Sequence, residues 1–169
     1  MYKKLILHDL SNGEAEEIIP RESAEYTIFP ANPAVHHCIG CFGCWVKTPG
    51  RCVLKDRGSD FAVLMSQHDQ VIVISRLVFG GLSPEVKSVL DRSIGFILPF
   101  FRIVDGEMHH TKRYEKSPDL SYLLYGPDIN EREKATAQKL VAANALNFGA
   151  ENYSIAFYQS FHEMKEALA

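Results

Sequence analysis

The sequence has no surplus of positive charge: 18 Lys and Arg stand against 21 Asp and Glu, a formal net charge of −3. That balance supplies no basic field to follow a phosphate backbone, so no nucleic-acid partner is expected. No apolar run approaches the roughly 20 residues a membrane-spanning helix needs, so no membrane partner is expected either. Repeats, low-complexity tracts and linker-like stretches are also missing, and residues 1–169 read as one domain. The opening "MYKKLILHDL" lacks the length and small-residue cleavage site of a signal peptide. It reads as a first strand, and a cytoplasmic location is the expectation. Cysteine is absent except in one place, where "CIGCFGCWVKTPGRC" packs all four cysteines into residues 38–52. In a reducing compartment such thiols serve as ligands, catalysts or core residues more often than as structural disulfides.

Strand and helix signals alternate along the chain. "KKLILHDL" is a short apolar run, "GEAEEII" a brief acidic helix closed by Pro20, and "AEYTIF" a second strand. The cysteine stretch follows as a loop with three glycines and a proline. In "SDFAVLMSQHD", Ser59 is placed to cap a helix whose Phe61, Leu64, Met65 and His68 share a face. "VIVIS", residues 71–75, has no polar alternation and fits a strand buried on both faces. "LSPEVKSVLDR" opens a helix with Ser83 at N-cap and Pro84 at N1. After the strand "SYLLYG", Asn130 and Glu133 form a capping pattern for a long helix that Gly149 ends. "NYSIAFY" is a fifth strand and "FHEMKEAL" a short terminal helix. This alternation predicts an α/β, flavodoxin-like, doubly wound five-stranded parallel sheet in the order 2-1-3-4-5. Residues 99–114 interrupt it with a hairpin turning at Asp105-Gly106, read either as an arm over a partner or site, or as an ordered surface loop.

Two segments carry a family resemblance. "CIGCFGCWVKTPGRCVLKD" after the second strand and "SRLVFGGLSPEVKSVLDR" after the third resemble the flavodoxin-like NADPH-dependent FMN reductases, a group that includes the iron–sulfur flavoproteins. The resemblance implies FMN at the carboxyl edge of the sheet, NAD(P)H as electron donor, a small-molecule or protein electron acceptor, and a homodimer or tetramer. Carried onto this sequence, the flavin loop is Ser75, Arg76, Leu77, Val78, Phe79, Gly80 and Gly81. Glycines there permit close backbone approach to a flat ring, Phe79 can stack on it, and Arg76 can face a reduced flavin's negative charge. The alternative is that Phe79 is core and the glycines only turn the chain. Lys87, Asp91 and Arg92 read as solvated helix residues or interface pairs. For the flavin phosphate the resemblance implies a cradle after the first strand. Ser11 and Asn12 supply donors there, but Asp9, Glu14, Glu16 and Glu17 surround them with like charge and no arginine accompanies them.

The cysteine spacing, C-x2-C-x2-C-x7-C, leaves four readings open. Cys38, Cys41, Cys44 and Cys52 can converge on a [4Fe–4S] cluster, the first metal option. They can instead pack as small groups walling a flavin site, act as redox thiols, or bind zinc, whose usual paired knuckles are not matched here. His36, His37, His109 and His110 come as adjacent pairs that point apart in extended chain, so neither pair alone makes a metal site. Two functions of different class therefore stand: an NAD(P)H-dependent flavin oxidoreductase, with or without a cluster, and a degenerate binding or assembly module that has lost FMN.

Overall fold

The computed structural model of the protein describes residues 1–21 and 23–168. Five parallel strands form the sheet: β1 (Lys4–His8), β2 (Tyr26–Pro30), β3 (Gln70–Val78), β7 (Asp119–Tyr125) and β8 (Tyr153–Tyr158), in the order β2-β1-β3-β7-β8. This is the doubly wound order the sequence predicts. A two-residue strand β4 (Gly81–Leu82) folds back antiparallel on β3 through Leu77↔Leu82 and Val78↔Gly81. The predicted hairpin is present as a separate two-stranded sheet, β5 (Ile97–Val104) and β6 (Glu107–Lys112), turning at Asp105 and Gly106, both at positive φ.

Successive side chains of the central strands point alternately into two cores, as the pleat requires. Leu5, Leu7, Val71, Val73, Leu120, Tyr122 and Leu124 face one core, packed against α3 (Phe61–Ser66), α4 (Pro84–Asp91) and α5 (Glu131–Phe148). Ile6, Ile72, Ile74 and Leu123 face the other, covered by α1 (Asn12–Ile18) and a 3-10 helix over Phe161–Leu168. Both faces are buried, which is why "VIVIS" shows no alternation of hydropathy.

Caps set the helix starts. Ser83 Oγ accepts the Val86 N–H with Pro84 at N1, Asn130 and Glu133 form a reciprocal capping box, and Gly149 ends α5 at φ 67°. One cap differs from the sequence reading. Before α3 a 3-10 turn, Arg57–Asp60, is capped by the Asp56 carboxylate rather than by Ser59. A carboxylate accepting the Gly58 N–H at 2.9 Å provides a stronger, charge-assisted cap than a hydroxyl. Among the described residues, no helix is long and apolar enough to cross a membrane.

Candidate functional site

Ligands of an open doubly wound sheet sit outside the carboxyl ends of the strands, where the strand order reverses between β1 and β3. Asp9 occupies that point. Its carboxylate accepts the Arg76 N–H at 2.8 Å and the Tyr125 hydroxyl at 3.0 Å, and its carbonyl accepts from Asn32 Nδ2 at 2.9 Å. One side chain thus ties the ends of β1, β3 and β7. Burial pushes the Asp9 carboxyl up, against the opposing pull of hydrogen bonds from Ser83, Arg76 and Tyr125. Burial, then the Asp9 charge, raises the Tyr125 phenol well above its ordinary value.

Immediately beyond, Ser11 caps α1, but not as a free phosphate donor. Glu14 Oε2 accepts the Ser11 N–H at 2.7 Å and Ser11 Oγ accepts the Glu14 N–H at 3.4 Å, a capping box. Asn12 is the first residue of this seven-residue helix. The turn from residue 9 to 14 contains no Lys or Arg. A dianionic phosphate therefore does not fit here: the Ser11 N–H is already held by the Glu14 carboxylate and the Glu14 N–H by the Ser11 hydroxyl, and Asp9 adds like charge.

The loop after β3 presents an exposed aromatic at its outer edge. Phe79 and Gly80 form the β3–β4 turn at φ 52° and 80°, and the Phe79 side chain is 92% exposed. A bulky residue in the left-handed region is an outlier that marks constraint. Arg76, three residues earlier, is exposed, Leu77 and Val78 are half-buried, and Gly81 lies in β4. Ser75 is internal: its hydroxyl accepts the Ser83 N–H at 2.9 Å and holds the start of α4. The space that Gly80 leaves is filled by α5, because a Cβ there would lie 2.7 Å from Thr136 Cβ and 3.1 Å from the Glu133 carbonyl. The approach it permits is to a helix.

The second site is the cysteine loop. The sulfurs of Cys38, Cys41, Cys44 and Cys52 belong to residues lining one small apolar pocket with Ile94 and Arg92. Residues Gly43–Val46 make a helical turn, α2, where the sequence reading has only loop. Gly43 starts it because a Cβ would strike Val53 at 2.4 Å, and Phe42 precedes it at φ 54°. Trp45 Nε1 pins the turn by donating to the Ile94 and Ile97 carbonyls, at 3.2 and 2.9 Å. The Cys44 thiol is buried, and burial, then the neighbouring Cys52, Cys38 and Cys41, pushes it up. Cys38 and Cys41 are exposed, and the Gly43 N–H donates to Cys41 Sγ at 3.5 Å.

Arg92 is the residue sequence reasoning misplaced. It is only 2% exposed. Its Nε donates to Cys52 Sγ at 3.3 Å, Nη1 to Asp56 Oδ2 at 2.6 Å and the His36 carbonyl at 3.2 Å, and Nη2 to the Leu54 carbonyl at 3.1 Å. The solvated pair expected on this helix is Lys87–Asp91, which is exposed. The histidines do not gather: His37 Nδ1 meets Ser88 Oγ, His109 meets Asn147 and Glu107, and His110 stacks between Trp45 and Phe101. An apolar groove of about 290 Å³ lies between α4 and α5, lined also by His110.

A single zinc with Zn–S bonds of about 2.3 Å would draw its thiolates within about 4 Å of one another. Among the described residues, no group of three or more His, Cys, Asp or Glu side chains is gathered to hold one ion. A cubane, each of whose four irons takes its own thiolate, suits a wider ring of cysteines around a pocket. The donor set, four cysteines with N–H groups directed at two of the sulfurs, fits a cluster better than zinc.

Strand order and strand connectivity define a flavodoxin-like fold. Solved structures share it: an azoreductase from Bacillus anthracis superposes with TM-score 0.62 at 11% identity, covering 99% of this chain and 91% of that one. An FMN-dependent NADH-azoreductase from the same species, in complex with FMN, gives 0.56 at 15% identity, covering 99% and 98%. An NADPH-quinone reductase from P. pentosaceus gives 0.52 at 15%, covering 99% and 91%. In sequence, the chain is 35% identical over 98 residues to an iron–sulfur flavoprotein of Methanocaldococcus jannaschii, a match over 56% of this chain. It spans about half, 48%, of that relative's length. No protein-family model matches the chain. The chain is thus similar in fold to these flavin-dependent reductases, and over about half of its length similar in sequence to an iron–sulfur flavoprotein.

Proposed function

We propose that the protein is a flavin-dependent oxidoreductase that takes electrons from NAD(P)H and passes them to a separate acceptor. The observation that carries this reading is the β3–β4 turn beyond the carboxyl end of β3, where the exposed Phe79 is held at positive φ and Arg76 is exposed near the end of the same strand. Flavin, when bound, accepts hydride from a nicotinamide and releases the electrons onward. The chain's own contribution is placement: Phe79 offers a stacking face, Arg76 a positive charge, and Asp9 fixes the Arg76 backbone from below. The ring half of the site fits FMN and the phosphate half does not, so a flavin here is held by its ring.

A second reading, favoured by the shared pocket of Cys38, Cys41, Cys44 and Cys52, adds a [4Fe–4S] cluster. Such a cluster carries single electrons, and the chain would hold it through these four thiolates. The similarity to an iron–sulfur flavoprotein supports the same assignment.

Protein purified without oxygen and examined by visible spectroscopy tests both readings. A two-banded yellow spectrum supports the flavin, and added broad brown absorbance with bound iron and sulfide supports the cluster. A colourless protein that leaves FMN and riboflavin fluorescence unchanged on titration, and takes up no iron, would identify a module without redox function. Phe79→Ala isolates the ring contact without disturbing the fold, since the side chain is exposed. Flavin affinity undiminished in that variant would refute the loop assignment.

A further inference from the structure

We infer that Arg92 positions Cys52 and raises the reduction potential of an iron–sulfur cluster in the cysteine pocket, and that Asp56 limits how much of the guanidinium charge the cluster feels. The inference rests on the cluster reading above. It begins from a cost: a guanidinium buried this far from water persists only where its N–H groups and its charge are met. Carbonyls of His36 and Leu54 and the Asp56 carboxylate answer three of its hydrogen bonds, and the fourth goes to Cys52 Sγ. Sulfur is a weak acceptor when it is a thiol and a good one when it carries charge. Directing the Nε donor of a buried arginine at it is well spent only if the sulfur is a ligand thiolate.

The surroundings fix this geometry. Gly58 leaves room for it: a Cβ there would sit 3.1 Å from Arg92 Nη1 and 3.3 Å from Cζ, and the guanidinium would have to shift by a few tenths of an ångström. Asp56 is itself fixed by the N–H groups of His36 and Gly58, at 3.1 and 2.9 Å. The chain running from His36 to Gly58, which contains all four cysteines, is therefore clipped at both ends to the last turn of α4 through one arginine. Arg92 lines the same pocket as the cysteines.

The electrostatic consequence has a sign. Reduction adds negative charge to a thiolate-ligated cluster, and both an N–H donated to a ligating sulfur and a nearby cation favour the reduced state. Arg92 is shielded from solvent, so water and salt screen it little. Removing it lowers the midpoint potential. Removing the Asp56 charge, which opposes the guanidinium, raises it.

The test is anaerobic reconstitution of the full chain with iron and sulfide, followed by redox titration monitored by electron paramagnetic resonance. Wild type, Arg92→Met and Asp56→Asn are compared, with gel filtration and circular dichroism reporting the fold. The expected result is a cluster in all three, with the midpoint shifted down in Arg92→Met and up in Asp56→Asn. A purely structural clip would weaken stability or iron retention in both variants without moving potentials in opposite directions. Unchanged midpoints in loaded, folded variants, or shifts of the same sign, overturn the inference while leaving the cluster reading intact. If Arg92→Met does not fold, Asp56→Asn decides alone: an upward shift supports the inference and no shift overturns it. Wild-type protein that takes up no iron and sulfide overturns the cluster reading, and the inference with it.

Discussion

Glu14 and Ser11 close on each other across the first turn of α1, the carboxylate taking the Ser11 N–H at 2.7 Å. A carboxylate thus stands where a doubly wound fold would receive a phosphate. Glu14→Gln keeps a neutral capping box and removes the charge. Relieving one carboxylate near a phosphate is worth about 1 kcal/mol at low salt, roughly fivefold in affinity. FMN is expected to bind the variant about that much more tightly, with riboflavin unchanged, as read by fluorescence quenching. Equal changes for both flavins would show that the charge does not act on the phosphate.

Two glycines separate local from tertiary demands. Gly13 lies inside α1 with nothing within 4 Å of an added Cβ, so Gly13→Ala should stabilise by roughly 0.5–1 kcal/mol. Gly80 has φ 80° and faces Thr136, so Gly80→Ala should destabilise by roughly 1–3 kcal/mol. Urea unfolding checks both. Similar midpoints for the two variants would contradict the contact between the β3–β4 turn and α5.

His8 sits 3% exposed at the end of β1 with Nδ1 unpartnered, and burial lowers its pKa to about 4. Unfolded, it takes a proton near pH 6.5; folded, it does so only near pH 4. Between these values the unfolded chain binds more protons, so stability is lost as pH drops from 6.5 toward 4, by up to about 3 kcal/mol. Above pH 6.5 the contribution is complete. His8→Leu should flatten this part of the profile in urea titrations between pH 7.5 and 4. A slope identical to wild type would locate the effect elsewhere.

The cysteines should differ in reactivity when no cluster is bound. Cys38 and Cys41 are exposed, and Cys44 is buried with its thiol pushed up. Iodoacetamide labelling followed by peptide mass spectrometry should modify the first two well before Cys44. Trp45→Phe frees the Ile94 and Ile97 carbonyls from their indole donor, at a cost of roughly 1–3 kcal/mol, and should accelerate Cys44 selectively. Cys44 labelled as fast as Cys38 in wild type would contradict its burial.

What could be read in advance follows from the range of the forces involved. Ser83-Pro84, Asn130 with Glu133, and Gly149 act within four residues, so their elements stand where the sequence places them. The uninterrupted "VIVIS" run announces two covered faces, and the strand order follows from chain connectivity. Ser11-Asn12-Gly13-Glu14 also spells a capping box, but read as phosphate donors its Glu14 seemed an intrusion rather than the partner. Arg92 was not legible. Arginine is almost never fully buried unless paired, and three of the four acceptors of Arg92 come from residues 52–56, brought there only by the folding of the cysteine loop. Asp56 gains its second role, and a pKa lowered to about 2 first by the Arg92 hydrogen bond, from the same meeting.

Phe42, Trp45, His110 and Phe101 stand ring against ring, with centroids 5.3, 5.0 and 4.7 Å apart. This line joins the cysteine loop to the β5–β6 hairpin, and Trp45 anchors its middle to the turn leading into β5. The two protrusions consequently share one opening event. Amide exchange in α2 and in β6 should slow and quicken together as denaturant is added, whereas α1, on the opposite face of the sheet, exchanges on its own schedule.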